Sequence, residues 1–352
     1  MKILHIITSL ESGGAERMLS NIVNNDNSNQ HIIITLLKSK RHYELNENVK
    51  VISLDLKNNI LTKIITPYFI NKIVKKIKPD ILQTWMKSNL YAPILKYLNK
   101  NVITLLNFRN GINKKYNLIE RLFLNKFFEH SDGTIFVSES SYNEYRNAGL
   151  IFNDSIVIPN GFMMKNYKYK EPNKNEKLTF GYVGRYHKIK NQELLIEGFN
   201  EFSSNKNVEL KIAGKGMSFD KFSKYINRNN KNKFSWYGEM KNPFELYDDI
   251  NVLILTSKSE GFPNVIGEAM SIGVPVVTTD AGESYKIIGE TGYKIQSNIN
   301  SLLRTLNYIY AHQNDLNLKS QKAYKRINDN FSMNVIVNKY LEYYKQKLED
   351  KQ

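Results

Sequence analysis

Short β-branched segments alternate with longer amphipathic segments along almost the whole chain. Segments such as "KILHII" (2–7) and "HIIITLL" (31–37) have the nearly continuous apolar residues of buried strands. The segment between them, 15–25, instead repeats its apolar residues at helical spacing. A strand followed by a crossover helix, repeated many times, joins parallel strands. The sequence therefore predicts an α/β fold built on parallel sheets.

The same pattern predicts the remaining elements. Further strands are predicted at 49–54, 80–84, 102–107, 133–138, 155–160, 178–184, 208–214, 233–238, 251–257 and 274–279. Further helices are predicted at 62–78, 88–99, 114–130 and 140–148, and the chain after residue 300 is predicted to be helical, closing with an amphipathic helix at 332–350.

The alternation is interrupted once, at "PNGFMMKNYKYKEPNKNEK" (159–177), where Pro, Gly, Asn and Lys replace the apolar periodicity. A chain of 352 residues is too long for one ordinary core, so this segment is interpreted as a linker between domains. The predicted domains are 1–163, 164–331 and a C-terminal helix at 332–352. Ligands of open α/β sheets bind outside the carboxyl ends of the strands, so the loops that follow strands should hold the functional residues.

Composition excludes several classes of protein and site. The chain has no Cys, which excludes disulfides, thiolate metal sites and Cys nucleophiles, and its six His form no HxxxH or HExxH pair, so no metal is expected. The net charge of +16 is spread over both halves and should attract anions. Without a run of about 18 apolar residues, and with an N-terminus interpreted as a first strand, we expect a cytoplasmic protein.

The segment "SEGFPNVIGEAM" (259–270) places two carboxylates around a Gly-Phe-Pro turn. Pro263 suits the first position of a helix, which would leave Glu260 in the loop before it and Glu268 inside it. Backbone N–H groups at the helix start, around Asn264, Val265 and Ile266, would then be free to bind an anion. The alternative is that both glutamates are simply exposed on the surface.

Two cations follow the first strand of the second half, in "GYVGRYHKIKN" (181–191). Arg185 and Lys190 lie where a strand stops and a helix starts, and together they could neutralise a diphosphate. The alternative is a solvated basic loop, which the neighbouring Lys188 also fits.

Glycines mark further strand ends. Gly214, Gly216 and Gly238 would let a flat base lie against the backbone, although a turn also requires glycine. In the first half, Gly13 and Gly14 in "SLESGGAERM" could hold an anion at a helix N-terminus or could only form a tight turn.

Together these segments resemble the retaining, nucleotide-sugar-dependent glycosyltransferases of family four, over nearly the whole chain. The resemblance lies in "GGAE" (13–16), "VSES" (137–140), "VIPNGF" (157–162), "VGRYHKIKN" (183–191), "IAGKG" (212–216), "SEGFPNVIGEAMSIGVPVV" (259–277) and the helix after Phe331-Ser332. It implies the GT-B fold, in which two Rossmann-like domains face each other across a cleft and the C-terminal helix returns to the N-terminal domain. Domain 1–163 would then bind the acceptor, and domain 164–331 would bind the nucleotide sugar.

The resemblance also implies a role for each matching residue. Glu268 would hold the ribose hydroxyls of the donor, Glu260 would contact the transferred sugar, and Arg185 and Lys190 would bind the diphosphate. The rest of the implied donor-binding set is Gly13, Gly14, Phe262, Pro263, Asn264, Val265, Ile266, Gly214, Gly238, Glu239 and Met240.

The implied reaction retains the anomeric configuration and uses no metal and no cofactor beyond the nucleotide sugar, which is expected to be UDP-linked. The acceptor hydroxyl would attack from the face that the diphosphate leaves, so catalysis would consist of charge stabilisation and positioning. Many relatives have a His after the strand "VITLLN", where this chain has Arg109, which we expect to contact a phosphate or a sugar hydroxyl. The expected acceptor is a lipid-linked glycan of bacterial surface polysaccharide synthesis, such as O-antigen or capsule.

A second basic and apolar segment, 112–132, could rest on an anionic membrane surface. It places Leu118, Leu122, Phe123, Phe127 and Phe128 among Lys114, Lys115, Arg121 and Lys126. The alternative is an ordinary helix whose apolar residues pack on the sheet.

Other classes of function fit less of the sequence. A dehydrogenase would need GxGxxG, which "SGGAERM" lacks. A glycoside hydrolase could use Glu260 and Glu268 as its carboxylate pair, but this interpretation gives Arg185 and Lys190 no role. A protein that binds nucleotide sugars without transferring them stays open, and no nucleic-acid partner is expected, because the charge lacks a motif with exposed aromatic residues.

Overall fold

The computed structural model describes residues 1–112, 116–164 and 177–351. The chain divides into two compact units, one formed by Met1–Gly161 with Met333–Gln352 and the other by Phe162–Ser332. Most of the predicted linker, 165–176, lies outside the described residues.

Parallel strands and helices alternate through both units. The strands are β1 (Lys2–Ile7), β2 (Gln30–Leu37), β3 (Lys50–Leu56), β4 (Ile81–Trp85), β5 (Ile103–Phe108), β6 (Gly133–Phe136), β7 (Ser155–Val157), β8 (Leu178–Val183), β9 (Val208–Ala213), β10 (Phe234–Gly238), β11 (Val252–Leu255), β12 (Val276–Thr279) and β13 (Tyr293–Ile295). The helices are α1 (Gly14–Asn25), α2 (Ile60–Ile77), α3 (Ala92–Leu98), α4 (Leu118–Phe128), α5 (Glu139–Asn147), α6 (Gln192–Phe202), α7 (Phe219–Phe222), α8 (Phe244–Tyr247), α9 (Asn264–Met270), α10 (Ser284–Ile288), α11 (Ile299–Ala311), α12 (Asp315–Phe331) and α13 (Met333–Glu349).

The first unit is a seven-stranded parallel sheet in the order β3-β2-β1-β4-β5-β6-β7. Alternate residues of one strand face opposite sides, so Ile3 packs in a core with α1 and α13, whereas Leu4 packs in a core with α2 and α3. Both faces of the sheet are therefore covered, which explains why its central strands read as continuous apolar runs.

The second unit is a six-stranded parallel sheet in the order β10-β9-β8-β11-β12-β13, with a single large core. The strand order reverses between β8 and β11, as it does between β1 and β4 in the first unit. Strand β13 was not predicted, because it has only three residues and Ile295 alone among them is buried.

The C-terminal helix α13 belongs to the first unit, as predicted. Tyr340 and Tyr344 are fully buried there, and the Tyr340 ring stacks on the Trp85 indole at a centroid distance of 6.5 Å. Their hydroxyls are not left unpaired, since the Asn107 amide donates to Tyr340 over 3.0 Å and Tyr344 donates to Gln83. The sequence thus folds as two Rossmann-like α/β units, which confirms the predicted fold class.

Candidate functional site

The loops after β8 and β11 lie side by side at the carboxyl edge of the second sheet, because these two strands are neighbours. Hydrogen bonds join the two loops, with the Lys258 backbone N–H donating to the Ile189 carbonyl over 2.8 Å and the Thr256 hydroxyl donating to the Asn191 carbonyl over 3.0 Å. The predicted cationic segment and the predicted acidic segment are therefore brought together at the point where the strand order reverses, the ligand-binding position of open α/β sheets.

Lys190 and Glu260 form the central contact of this edge. The Lys190 ammonium donates to both carboxylate oxygens of Glu260, over 2.6 and 2.7 Å, and the Ser257 hydroxyl donates to Oε1 over 2.6 Å. The Lys190 and Glu260 side chains keep 23% and 11% of their surface exposed, so the pair lies at the rim of the unit. Because an ammonium has three N–H donors, Lys190 can hold Glu260 and still donate to a ligand oxygen.

Glu268 lies inside α9 and is nearly buried, with 7% of its surface exposed. The hydroxyl of the fully buried Tyr247, at the end of α8, donates to its Oε2 atom over 3.1 Å. A carboxylate seldom lies in such a position without hydrogen-bond donors, so the fold fixes this side chain rather than leaving it in solvent. The alternative of two simply exposed glutamates does not fit the structure.

The start of α9 differs from the prediction at two residues. Pro263 precedes the helix instead of forming its first residue, because its ψ angle of 94° is extended. The Ile266 backbone N–H is not free, since it donates to the Pro263 carbonyl over 3.1 Å. The tight first turn of this short helix uses that donor internally, so Ile266 offers a ligand no backbone N–H.

Aromatic packing explains two other residues of the acidic segment. The Phe162 ring lies directly on Gly267, where an added Cβ would come within 2.1 Å of the ring. Phe262 stacks on Phe162 with a centroid distance of 6.2 Å. Gly267 is therefore required by the close approach of an aromatic ring, and Phe262 is held against the core beside Glu260.

Arg185 is exposed at the end of β8. Its backbone carbonyl accepts a hydrogen bond from the buried Gln192 side chain over 2.9 Å, which fixes the loop. Its guanidinium has no hydrogen-bond or ion-pair partner among the residues that the structure describes. Of the two predicted diphosphate ligands, Arg185 is thus the one not engaged by a carboxylate.

The structure gives the glycines at the strand ends different surroundings. An added Cβ at Gly214 would lie 1.9 Å from the Gly184 carbonyl oxygen, so this glycine serves a close approach of two loops and not an open face for a base. Gly238 has no atom within 4 Å of that position and remains open. Glu239 beside it is exposed, whereas Met240 packs against the core.

In the first unit, the Gly13-Gly14 segment leads into α1. A Cβ added at Gly13 would lie 2.1 Å from a carboxylate oxygen of Glu16, so the chain's own acidic side chain lies at this helix N-terminus. Gly14 has no atom within 4 Å and is open. Binding of a donor by either glycine stays a prediction.

Arg109 is held by its own unit. Its guanidinium donates to the Ile158 carbonyl over 2.8 Å, to the Tyr340 hydroxyl over 3.1 Å and to the Asn160 side chain. Burial lowers the pKa of this guanidinium below its ordinary value. The side chain therefore joins the end of β5, the segment after β7 and α13, a structural role that the sequence did not indicate.

Helix α4 packs against its unit through only some of its apolar residues, so the interpretation as an ordinary packed helix holds in part. Phe128 is buried and Phe127 packs beside it, whereas Leu118, Leu122 and Phe123 are more than half exposed. Lys114 and Lys115 of the predicted basic flank lie outside the described residues.

Three residues of the site were not identified from the sequence. Tyr247, Ser257 and Gln192 contact predicted site residues through the fold, and only Ser257, three positions before Glu260, lies near enough along the chain to have been considered. Within residues 1–112, 116–164 and 177–351, no three or more His, Asp or Glu side chains cluster as a metal site would require.

Comparison with known families agrees with this geometry. The family model of glycosyl transferases group 1 matches residues 163–326, and that of glycosyltransferase family 4 matches residues 12–163. The chain belongs to the group 1 and family 4 glycosyltransferases. The two matched ranges together extend over both Rossmann-like units.

Two relatives of this glycosyltransferase chain are named for bacterial lipopolysaccharide and capsular polysaccharide. It is 30% identical to the lipopolysaccharide 1,6-galactosyltransferase of Escherichia coli K12 over 157 residues, which span 43% of each chain, so less than half of that relative is matched. It is 24% identical to the capsular polysaccharide biosynthesis glycosyltransferase CapM of Staphylococcus aureus over 95% of this chain and 94% of CapM.

Solved structures from several bacteria share the fold of this chain. A glycosyltransferase from Rickettsia africae has a TM-score of 0.81 at 19% identity, covering 99% of this chain and 98% of that one. The Anabaena protein HepE, in complex with UDP, has a TM-score of 0.78 at 18% identity, covering 98% and 100%. These structural similarities confirm that the chain has the GT-B fold.

Proposed function

We propose that the protein is a retaining glycosyltransferase that moves a sugar from a UDP-linked donor to a lipid-linked glycan, without a bound metal. The observation that carries the proposal is the convergence of Glu260, Lys190 and Glu268 at the carboxyl edge of the second sheet, with Arg185 in the neighbouring loop. A buried carboxylate and adjacent cations at this edge fit a nucleoside diphosphate, which carries ribose hydroxyls and an anionic linkage.

Each residue has a part in the proposed reaction. Glu268, fixed by Tyr247, accepts hydrogen bonds from the ribose hydroxyls, and Glu260 accepts from hydroxyls of the transferred sugar. Arg185 binds the diphosphate, and Lys190 joins it with the N–H that Glu260 leaves unused. These cations stabilise the negative charge that grows on the diphosphate as the glycosidic bond breaks, which is the main catalytic contribution.

A glycoside hydrolase is the less favourable assignment. It requires one carboxyl group that donates a proton to the leaving oxygen. Both oxygens of Glu260 instead accept hydrogen bonds from Lys190 and Ser257, and Glu268 accepts one from Tyr247. Glu260, with both oxygens accepting, is not arranged as such a donor.

The choice of substrates rests on the relatives. HepE was solved with UDP, and the lipopolysaccharide and capsule enzymes act on bacterial surface glycans, which supports a UDP-sugar donor and a surface-polysaccharide acceptor. No helix in the described parts of the chain has the length and hydropathy needed to cross a bilayer. We propose that the enzyme acts at the cytoplasmic face of the membrane, with the exposed apolar residues of α4 toward an anionic lipid surface.

A thermal-shift panel tests the donor class. A nucleotide at 100 times its Kd stabilises the folded protein by about 2.7 kcal/mol, which gives a clear rise in Tm. We expect UDP to raise the Tm of the wild type and to have a much smaller effect on Arg185→Gln. A rise with NAD or an oligonucleotide but not with UDP or GDP would contradict the proposal.

The anomeric configuration of the product tests the retaining assignment separately from the donor. Retention predicts that a product made from an α-linked donor carries an α linkage, which the anomeric coupling in a proton NMR spectrum reports. A β-linked product would contradict the retaining assignment without affecting the donor assignment.

A further inference from the structure

A cavity lies at the carboxyl edge of the first sheet, in the other unit from the site described above. Its volume is about 300 Å³, and its lining includes residues at the ends of β1, β2 and β3 and residues just after β4. The strand order reverses between β1 and β4, so this cavity occupies the position at which open α/β sheets bind ligands.

The wall of the cavity is mainly apolar. Leu36, Leu37 and Leu56 come from strand ends, and Leu90 and Tyr91 come from the turn before α3. Leu90 is 53% exposed, although it belongs to the wall. Thr8, Asn58, Thr62 and Thr66 add polar atoms to the lining, but most of the accessible wall is apolar, which fits an aliphatic chain.

The rim of the cavity is basic. Lys57, Lys63 and Lys87 line it, and their ammonium groups have no ion-pair or hydrogen-bond partner among the described residues. No Asp or Glu of the described chain lines the cavity. The rim is therefore complementary to an anion, whereas the wall is complementary to hydrocarbon.

Helix α2, which lines one side of the cavity, also carries exposed apolar residues. Ile60, Leu61, Ile64 and Tyr68 are each at least two-thirds exposed, on the helix that also supplies Lys63 to the rim. A contiguous exposed apolar strip is unusual on a protein surface unless something covers it. At about 3.6 residues per turn the strip lies on the face of α2 opposite Thr62 and Thr66, which line the cavity, so it is a separate exposed surface on the same helix.

We infer that this cavity binds the hydrocarbon chain of a phosphate-bearing lipid, with Lys57, Lys63 and Lys87 around its phosphate. The inference rests on the proposed function, since such a lipid would be the carrier of the glycan acceptor. It places the hydrocarbon chain and phosphate of one lipid in the region from β3 to α3, and it is separate from the proposed contact of α4 with the bilayer surface.

Calorimetric titration with farnesyl phosphate, kept below its aggregation concentration, tests this site. We expect the wild type to bind it at least tenfold more tightly than farnesol, which lacks the phosphate, or inorganic phosphate, which lacks the chain. The double variant Lys63→Glu/Lys87→Glu should lose at least tenfold in affinity. Lys72→Glu/Lys75→Glu changes the net charge equally on exposed positions of α2 outside the cavity, and should bind as the wild type does.

A second pair of variants tests the wall. Leu90→Asp should weaken farnesyl phosphate binding, whereas Leu122→Asp, at a comparably exposed position of α4, should not. Circular dichroism and Tm confirm that each variant is folded. Equal losses in the two charge variants, equal losses in the two Leu variants, or equal binding of farnesol would each overturn the inference.

Two further outcomes separate this inference from its alternatives. If Leu90→Asp lost sedimentation with phosphatidylglycerol vesicles but bound farnesyl phosphate normally, the surface would dock a bilayer and the lipid site would be wrong. If the wild type hydrolysed a nucleotide sugar but did not bind farnesyl phosphate, the lipid site alone would be wrong. Failure of donor hydrolysis would contradict the proposed function instead.

Discussion

Tyr247 and Glu268 show how a single contact can position a donor-binding carboxylate. The Tyr247 hydroxyl is buried and donates to Glu268, so removing it leaves the carboxylate less constrained. One such hydrogen bond contributes about 1 kcal/mol, so Tyr247→Phe should raise the KM for the nucleotide sugar about fivefold with little change in kcat. Steady-state kinetics measures both constants. Tyr225→Phe, which removes a hydroxyl elsewhere in the same unit, is the control, and an equal effect there would contradict the positioning role.

The contacts of Arg109 are expected to contribute to the free energy of unfolding. Its guanidinium joins three segments of the first unit, and a lysine cannot reproduce the spread of its donors. Arg109→Lys should therefore lower the free energy of unfolding by about 2 kcal/mol, measured by urea denaturation. Arg41→Lys at an exposed position should leave it unchanged. Unchanged stability in Arg109→Lys would show that the contacts do not hold the unit together.

At the scale of elements, α9 depends on the absence of a side chain at Gly267. Alanine favours helices, yet a Cβ here would overlap the Phe162 ring, so Gly267→Ala should destabilise the protein by about 1 to 3 kcal/mol. Gly261→Ala, which meets no atom within 4 Å, is the matched control. If overlap is the cause, Phe162→Leu should recover part of the loss in the double variant, and a simple sum of the two losses would contradict it.

The pairing of β1 with β2 buries a series of hydrogen-bonded side chains, His5, His31 and Asp26, which should make stability depend on pH. His5 contacts His31 over 3.0 Å, and His31 contacts Asp26 over 2.9 Å. Burial, and then the nearby His31, lower the pKa of His5 well below its ordinary value. Burial alone would raise the pKa of Asp26, but hydrogen bonds from His31, Ser28 and Asn29 outweigh it and hold that pKa below its ordinary value.

The sign of the effect follows from which state binds the proton. Below about pH 6.5 the unfolded chain protonates His5 and the folded chain does not, so stability is lost as the pH falls. Urea denaturation at pH 7.5 and 5.5 should show a loss of about 1 kcal/mol from this group. His5→Gln should reduce the loss and His130→Gln, at an exposed position, should not. The lowered pKa of Asp26 affects stability in a separate pH range, because the stability that it contributes is lost only as the pH falls below about 4.

The elements that the sequence predicted best are those buried on both faces. Strands β1 and β2 have nearly continuous runs of Ile and Leu, a pattern that is typical of strands buried on both faces. Their positions were therefore predicted closely. Strand β13 was missed because three residues show no periodicity. The start of α9 was misplaced at Pro263 because a proline suits both the residue before a helix and its first residue.

Over the whole molecule, spacing along the chain predicted which residues share the second-unit edge but not what each one touches. Glu260, Lys190 and Arg185 follow neighbouring strands, and a parallel sheet brings such loops together. The contacts of Arg109 join segments 49 to 231 residues apart, and Tyr247 meets Glu268 across 21 residues, so no local pattern indicates them. The cavity of the first unit was missed for the same reason, because its wall comes from separate strand ends.

Donor hydrolysis tests the central claim most directly, because it requires the nucleotide-sugar site and no acceptor. We predict that the wild type slowly releases UDP from at least one UDP-sugar, and that Glu268→Gln loses at least tenfold in kcat/KM, since a carboxylate bonded to ribose hydroxyls contributes about 1.5 to 3 kcal/mol. Glu201→Gln, an exposed position of α6, should behave as the wild type does. Unchanged release by Glu268→Gln, or no release by the wild type from any UDP-sugar or GDP-sugar, would contradict the account.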